Sequence, residues 1–285
     1  MTAGSSDQRV GASVRTGPER SRAAARQASG CQVLAVVGTA RGATTTTTAV
    51  AVATESARAG LDTLLIDLNP NGGASTWLGS RAWERGKDVG AILTDPYPIG
   101  WATQLFTYTR WHRRLWCIPA PQEGVELGLR RGDIGHDRLS LALTTTTDLD
   151  LVVIDCPPLS PEPLTATALH AASDVVLAVS GVTGDAVEGV GLRERLDTVA
   201  ATLGRGGPAR LRAIVIGNDR VSDRDADETV LMASVPHASI VAETRQSNDY
   251  FGSYEPEGAA VARTYSEIAA HVVDAFPVGA PGPEH

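Results

Sequence analysis

Short apolar runs alternating with segments of helical length constrain this chain more than any other feature. Gln32–Val37, Thr63–Asp67, Leu115–Ile118, Leu149–Ile154, Asp174–Val179 and Leu211–Ile216 are apolar at successive positions and end at Gly, Pro, Asn or Asp. Such runs suit strands buried on both faces, the condition of central parallel strands. The segments Thr46–Arg58, Pro163–Ala172, Asp185–Leu203 and Glu257–Phe276 are long enough for helices. In the last of these, Val261, Tyr265, Ile268, Val272 and Phe276 follow at spacings of 4, 3, 4 and 4, giving one apolar face to pack on a sheet. The alternation predicts an α/β fold: a doubly wound, mostly parallel sheet with helices on both faces and ligands at the carboxyl ends of the strands.

At 285 residues the chain can bury a substantial core. Three parts are expected: a basic, disordered N-terminal arm over 1–29, an α/β domain over 30–276, and a disordered tail over 277–285. The arm carries Arg9, Arg15, Arg20, Arg22 and Arg26 against Asp7 and Glu19. It reads either as an inert leader or as an arm touching DNA phosphates or another anionic surface. The formal charge of −8 argues against a globally basic nucleic-acid coat.

Cys31, Cys117 and Cys156 lie far apart and form no CxxC pair, and the six His residues show no metal-ligand spacing. Without an apolar span or a secretory core, the chain reads as cytoplasmic and membrane-free. Of its 25 basic residues only Lys87 is lysine, so chemistry that needs an ammonium group has one source within the chain. Two Thr tracts, Thr44–Thr48 and Thr144–Thr147, have different contexts. The first follows an apolar strand and a Gly-containing turn, where a phosphate-binding loop belongs; the second reads as a helix end and loop.

Four stretches in order are similar to the ParA/MinD group of P-loop ATPases, and to its ParA branch in particular. They are "VLAVVGTARGATTTTTAVAVATESARAGLDTLLIDLNPNGGASTWLG", "LWCIPAPQEGVELGLRR", "DLDLVVIDCPPLSPEPLTATALHAASDVVLAVS" and "IVIGNDR". "LLIDLNPNGGASTWLG" resembles the family's "LLIDLDPQGNASTWLG", and "VVIDCPP" matches its second strand motif. The resemblance implies a P-loop NTPase fold, ATP and Mg²⁺ as cofactors, and a homodimer. It also implies a ParB-like partner protein, nonspecific DNA binding and nucleoid association.

The family's deviant Walker A loop, KGGVGKTT, aligns without gaps. Ala40 stands at the first Lys, Arg41 and Gly42 at the two Gly, Ala43 and Thr44 at Val-Gly, Thr45 at the P-loop Lys, and Thr46 and Thr47 at Thr-Thr. A P-loop wraps phosphate in backbone N–H groups at a helix N-terminus. Thr44 puts a β-branched residue where Gly would relax the backbone, and Thr45 offers a hydroxyl where a cation is expected. One unit-charge contact at about 4 Å and an effective dielectric near 20 is worth about 4 kcal/mol. Arg41 is the loop residue that could supply a charge instead.

In the family's D-x-D-P-Q-G, the first Asp ends the strand and the second helps position water. Here they are Asp67 and Asn69, and Asn69 cannot take up a proton. Thr46 and Asp155 retain the hydroxyl and carboxylate implied for Mg²⁺, and Asn218 stands where the family reads the purine. The nucleotide-contact set is thus Arg41, Gly42, Ala43, Thr44, Thr45, Thr46, Thr47 and Asn218.

Two functions remain open. One is a ParA-like partition or positioning protein with a degenerate nucleotide site, acting by dimerisation and partner binding with little or no ATP hydrolysis. The other is an active partition ATPase using Arg41 and the Thr hydroxyls. Basic clusters that could face DNA are "TRWHRRLW" (Arg110, Arg113, Arg114), which more usually makes a packed Trp pair with solvated arginines, and Arg205, Arg210 and Arg212; in "VAETRQSNDYFG" Arg245 is the only basic residue.

Overall fold

A computed structural model describes residues 31–38, 44–80, 86–121, 135–146, 148–158, 163–180, 210–217, 230–236 and 239–275, with isolated positions between 125 and 132. The expected arm, the tail and the helix Asp185–Leu203 lie outside the described residues.

The strands are β1 (Gln32–Gly38), β2 (Thr63–Asp67), β3 (Thr107–Tyr108), β4 (Leu115–Ile118), β5 (Leu151–Asp155), β6 (Asp174–Ser180), β7 (Arg210–Gly217) and β8 (Leu231–Val235). They form one sheet in the order β3-β4-β2-β5-β1-β6-β7-β8. Every pairing is parallel except β3 with β4. This is the doubly wound, mostly parallel arrangement that the strand–helix alternation predicts.

Side-chain alternation distributes the strands between two cores. Leu34, Val36, Leu65, Leu151 and Val153 face one layer. Ala35, Val37, Leu64, Ile66, Val152 and Ile154 face the other. The first layer is covered by α1 (Thr45–Arg58) and by the C-terminal helix, Glu257–Val272. Four successive Thr residues are weak helix formers, because β-branching restricts χ1 against the preceding turn. Burial outweighs that preference here: α1 is enclosed around most of its circumference, and Thr48 shares a buried hydrogen bond of 3.1 Å with Tyr265 of the C-terminal helix.

The other layer holds α3 (Val89–Thr94), α5 (Arg138–Leu143) and α6 (Pro163–Ala171), while α2 (Gly73–Trp77) and α4 (Trp101–Gln104) are short connectors. α7 (Ser239–Ser247) and a 3₁₀ turn (Phe251–Ser253) precede the C-terminal helix, α8 (Glu257–Val272). Val261, Tyr265, Ile268 and Val272 of α8 are buried, as their spacing predicts. α8 ends earlier than expected, because Val273 is extended at φ −105°, ψ 112°. The second Thr tract is a helix end: Thr144 caps α5, and Thr146 donates to the Leu143 carbonyl.

"TRWHRRLW" proves to be mainly packing. Trp111 meets Trp77 edge-on with centroids 5.4 Å apart, Trp116 stacks on Phe106, and Arg114 pairs with Asp62 at 2.6 Å. Arg110 and Arg113 are exposed. Arg210 and Arg212 are committed to Asp174 and Asp274, at the amino end of β6 and β7. All three cysteines are free. Among the described residues no helix is long and apolar enough to cross a membrane.

A polar contact is set into the first core. Glu55 of α1 is buried and accepts a hydrogen bond from the Tyr250 hydroxyl, with the Arg58 guanidinium over the Tyr250 ring. Burial pushes the Glu55 carboxyl up from 4.5 to about 7, against the pull of Tyr250 and Arg58. The folded chain therefore keeps a proton that the unfolded chain has released, so stability falls as pH rises from 4.5 to about 7. The full loss is about 3 kcal/mol. Urea melts of Glu55→Gln across that window should show a shallower pH slope than the wild type; identical slopes would rule Glu55 out as the source.

Candidate nucleotide site

The carboxyl ends of β1, β2 and β5 converge on the first turn of α1. Asp67 and Asp155 end β2 and β5 and are register partners, which places two buried carboxylates side by side. Their surroundings differ. Asp67 accepts from the Asn69 backbone N–H at 3.1 Å, from the Ser75 N–H at 2.8 Å and from the Ser75 hydroxyl at 2.7 Å. It therefore ties the end of β2 to the start of α2. The α2 turn depends on Gly72, whose φ of 62° is left-handed backbone that a Cβ would strain.

Asp155 is less well satisfied. Its Oδ2 accepts from the Thr46 hydroxyl at 2.9 Å, while its Oδ1 is buried without a hydrogen-bond partner. Burial pushes both carboxyls up, Asp67 to about 6 and Asp155 well above its ordinary value, and the Asp67 charge adds to the effect on Asp155. The Thr46 hydroxyl and the Arg245 guanidinium pull Asp155 the other way. An orphaned carboxylate oxygen beside a threonine hydroxyl is a donor set that fits Mg²⁺. That ion takes one or two protein oxygens and completes its shell with phosphate and water. Thr46 and Asp155 would hold it, and the ion would neutralise phosphate charge.

The Thr tract divides its work by helix face. Thr46 turns to Asp155, Thr48 to Tyr265, Thr45 is buried in the first turn, and Thr47 is half-buried. Thr44 precedes the helix at φ −70°, ψ 19°, a conformation open to any residue, so the β-branched side chain imposes no backbone strain there. Its methyl occupies space beside the end of β7: a Cβ built on Gly217 would stand 2.8 Å from Thr44 Cγ2. Its hydroxyl is buried without a partner.

Asn69 is spent locally. Its side-chain oxygen accepts from the backbone N–H and the side-chain amide of Asn71, both at 3.1 Å, closing an Asx turn. Arg41, Gly42, Ala43 and Asn218 lie outside the described residues, as does Ala40. Sequence reasoning noted Arg245 only as a basic residue in the C-terminal half; the fold brings it to this site. Its guanidinium carbon lies 5.6 Å from the centroid of the Trp77 ring, on the side of α2 that faces Thr46.

The comparisons agree with this arrangement. A family model described as an AAA domain matches residues 31–204. The chromosome partitioning protein ParA of Myxococcus xanthus is 34% identical over 135 residues, which are 46% of this chain and 46% of that protein, so the match spans about half the length of that relative. Among solved structures, apo McdA of Cyanothece superposes with a TM-score of 0.67 at 14% identity, covering 84% of this chain and 99% of that one. MinD of Pyrococcus horikoshii with Mg-ADP gives 0.63 at 15%, covering 86% and 96%. A matching family model, a ParA relative, and a mostly parallel sheet with paired carboxylates at the carboxyl ends of its strands together place the chain in the ParA/MinD family of P-loop NTPase-fold proteins.

Proposed function

We propose that this is a ParA-type partition or positioning protein that takes up nucleotide with Mg²⁺ and turns it over slowly or not at all. On this reading it acts by dimerisation and by binding a ParB-like partner, with nonspecific DNA as its surface. The observation that carries it is the fate of Asn69. At the water-positioning place the chain offers an amide already engaged by Asn71, while Thr46 and Asp155 keep a cation-binding pair. On this reading the Mg²⁺-holding pair is retained and base chemistry is lost.

Phosphate release from Mg-ATP tests this. The wild type is expected at background, and the double substitution Thr45→Lys with Asn69→Asp is expected to gain about 100-fold, the scale of a positioned general base. Wild-type turnover well above background and equal to that of the double variant would sink the proposal and favour an active ATPase with a rearranged loop.

A further inference from the structure

The loop brings no lysine, yet among the described residues a cation, Arg245, stands beside the first turn of α1. Arg245 is carried by α7, and its side chain crosses to α2. One of its guanidinium nitrogens lies 3.4 Å from the point that a Cβ on Gly73 would occupy, and the Thr46 hydroxyl lies 3.5 Å from the same point. With no side chain at Gly73, the arginine and Thr46, whose Cγ2 lies 3.4 Å from that point, both border the same small space. The guanidinium rests over the ring of Trp77, which is itself fixed between Trp111 and Phe251. Its field reaches Asp155. Among the described residues it makes no ion pair and remains exposed, so its charge is available to a ligand.

We propose that Arg245 is a phosphate-binding cation of this site, reaching from α7 across Gly73 to the polyphosphate of a nucleoside di- or triphosphate, where the place of the P-loop lysine holds Thr45. The assignment rests on the reading that the site takes nucleotide. Three physical points support it. A planar guanidinium binds phosphate oxygens with two parallel donors, which a point charge cannot do. Stacking on a fixed indole removes much of the rotamer freedom that a free arginine loses on binding. Finally, an anion between Arg245 and Thr46 lies beside the Asp155 pair, so arginine and metal would hold one phosphate group from two sides.

Titration of the full chain with a fluorescent ATP and a fluorescent ADP, each with Mg²⁺, tests the assignment. Arg245→Ala and Arg245→Gln are expected to weaken both by about 10- to 100-fold, the range for hydrogen bonds to charged groups. Arg245→Lys should fall between them and the wild type. Adding Thr45→Lys to Arg245→Gln should recover part of the loss, because it returns a cation to the loop. Gly73→Leu, which fills the gap and leaves Arg245 in place, should weaken binding as well. Circular dichroism melts on each variant separate a folding defect from a lost contact. Wild-type binding left intact in both Arg245→Ala and Arg245→Gln overturns this assignment alone. Failure of the wild type to bind either nucleotide overturns the nucleotide-site reading, and the assignment with it.

Discussion

Replacing Asp155 by Asn should give two opposite results in one protein: a more stable ligand-free fold, and Mg²⁺-dependent nucleotide binding weakened by at least ~100-fold. The stability gain follows from the orphaned Oδ1. A fully buried carboxyl beside Asp67 keeps its proton at pH values where the unfolded chain, near 3.8, has released it. The folded state then holds the extra proton, and stability falls by about 1.4 kcal/mol for each pH unit above that value until the folded carboxyl ionises. Asparagine keeps an oxygen for the Thr46 hydroxyl and has no charge to suppress. Urea melts taken at rising pH above 3.8 should therefore separate the two proteins progressively until the folded carboxyl ionises. Parallel stability profiles would show that Asp155 carries no such cost. The binding loss has the opposite origin, because an amide is a far weaker ligand than a carboxylate for a hard divalent cation.

Trp77→Ala should be the most destabilising single change in this region, at about 3–5 kcal/mol. Trp77 is fully buried, meets Trp111 at 5.4 Å and Phe251 at 5.9 Å, and donates its indole N–H to the Asp249 carbonyl at 3.3 Å. Truncation leaves a cavity bordered by aromatic rings that cannot collapse without moving α2, and an unsatisfied carbonyl in the chain leading to the C-terminal helix. Trp77→Phe refills most of the volume and should recover more than half of the loss. Thermal melts of the two variants decide this; equal melting temperatures for Trp77→Ala and wild type would refute the packing account. Where Trp77→Ala still folds, it should also weaken nucleotide binding, because Arg245 loses its platform.

The parts of the fold that could be read from sequence are those whose signal is local. β2 and β4 have the expected bounds, and β1, β6 and β7 extend by a residue or so, because runs buried on both faces are apolar at every position. β5 starts at Leu151 because pairing with β1 begins there, opposite Gln32; Leu149 is buried without joining the strand. β8 escaped because it is half-buried and reads LMASV, and β3 because two residues carry no pattern. α7 escaped for a related reason: Thr244 is its one buried residue, so no apolar stripe marks it. At the site, Thr46, Asp67 and Asp155 were legible because each sits at the end of a strand or the start of a helix with its own motif. Arg245 was not, since its approach to Gly73 exists only after α7 and α2 have docked.

The contact between Thr44 and Gly217 also restricts the order in which this site can change over generations. With Thr44 in place, a side chain at position 217 would collide with its methyl, so substitutions there are blocked until position 44 becomes small. Changing Thr44 to Gly first removes that methyl and opens a gap against the end of β7. A path that places glycine at position 44 therefore passes through a looser intermediate. Each position holds the other to its present occupant, and a lineage leaves this arrangement most readily by altering both.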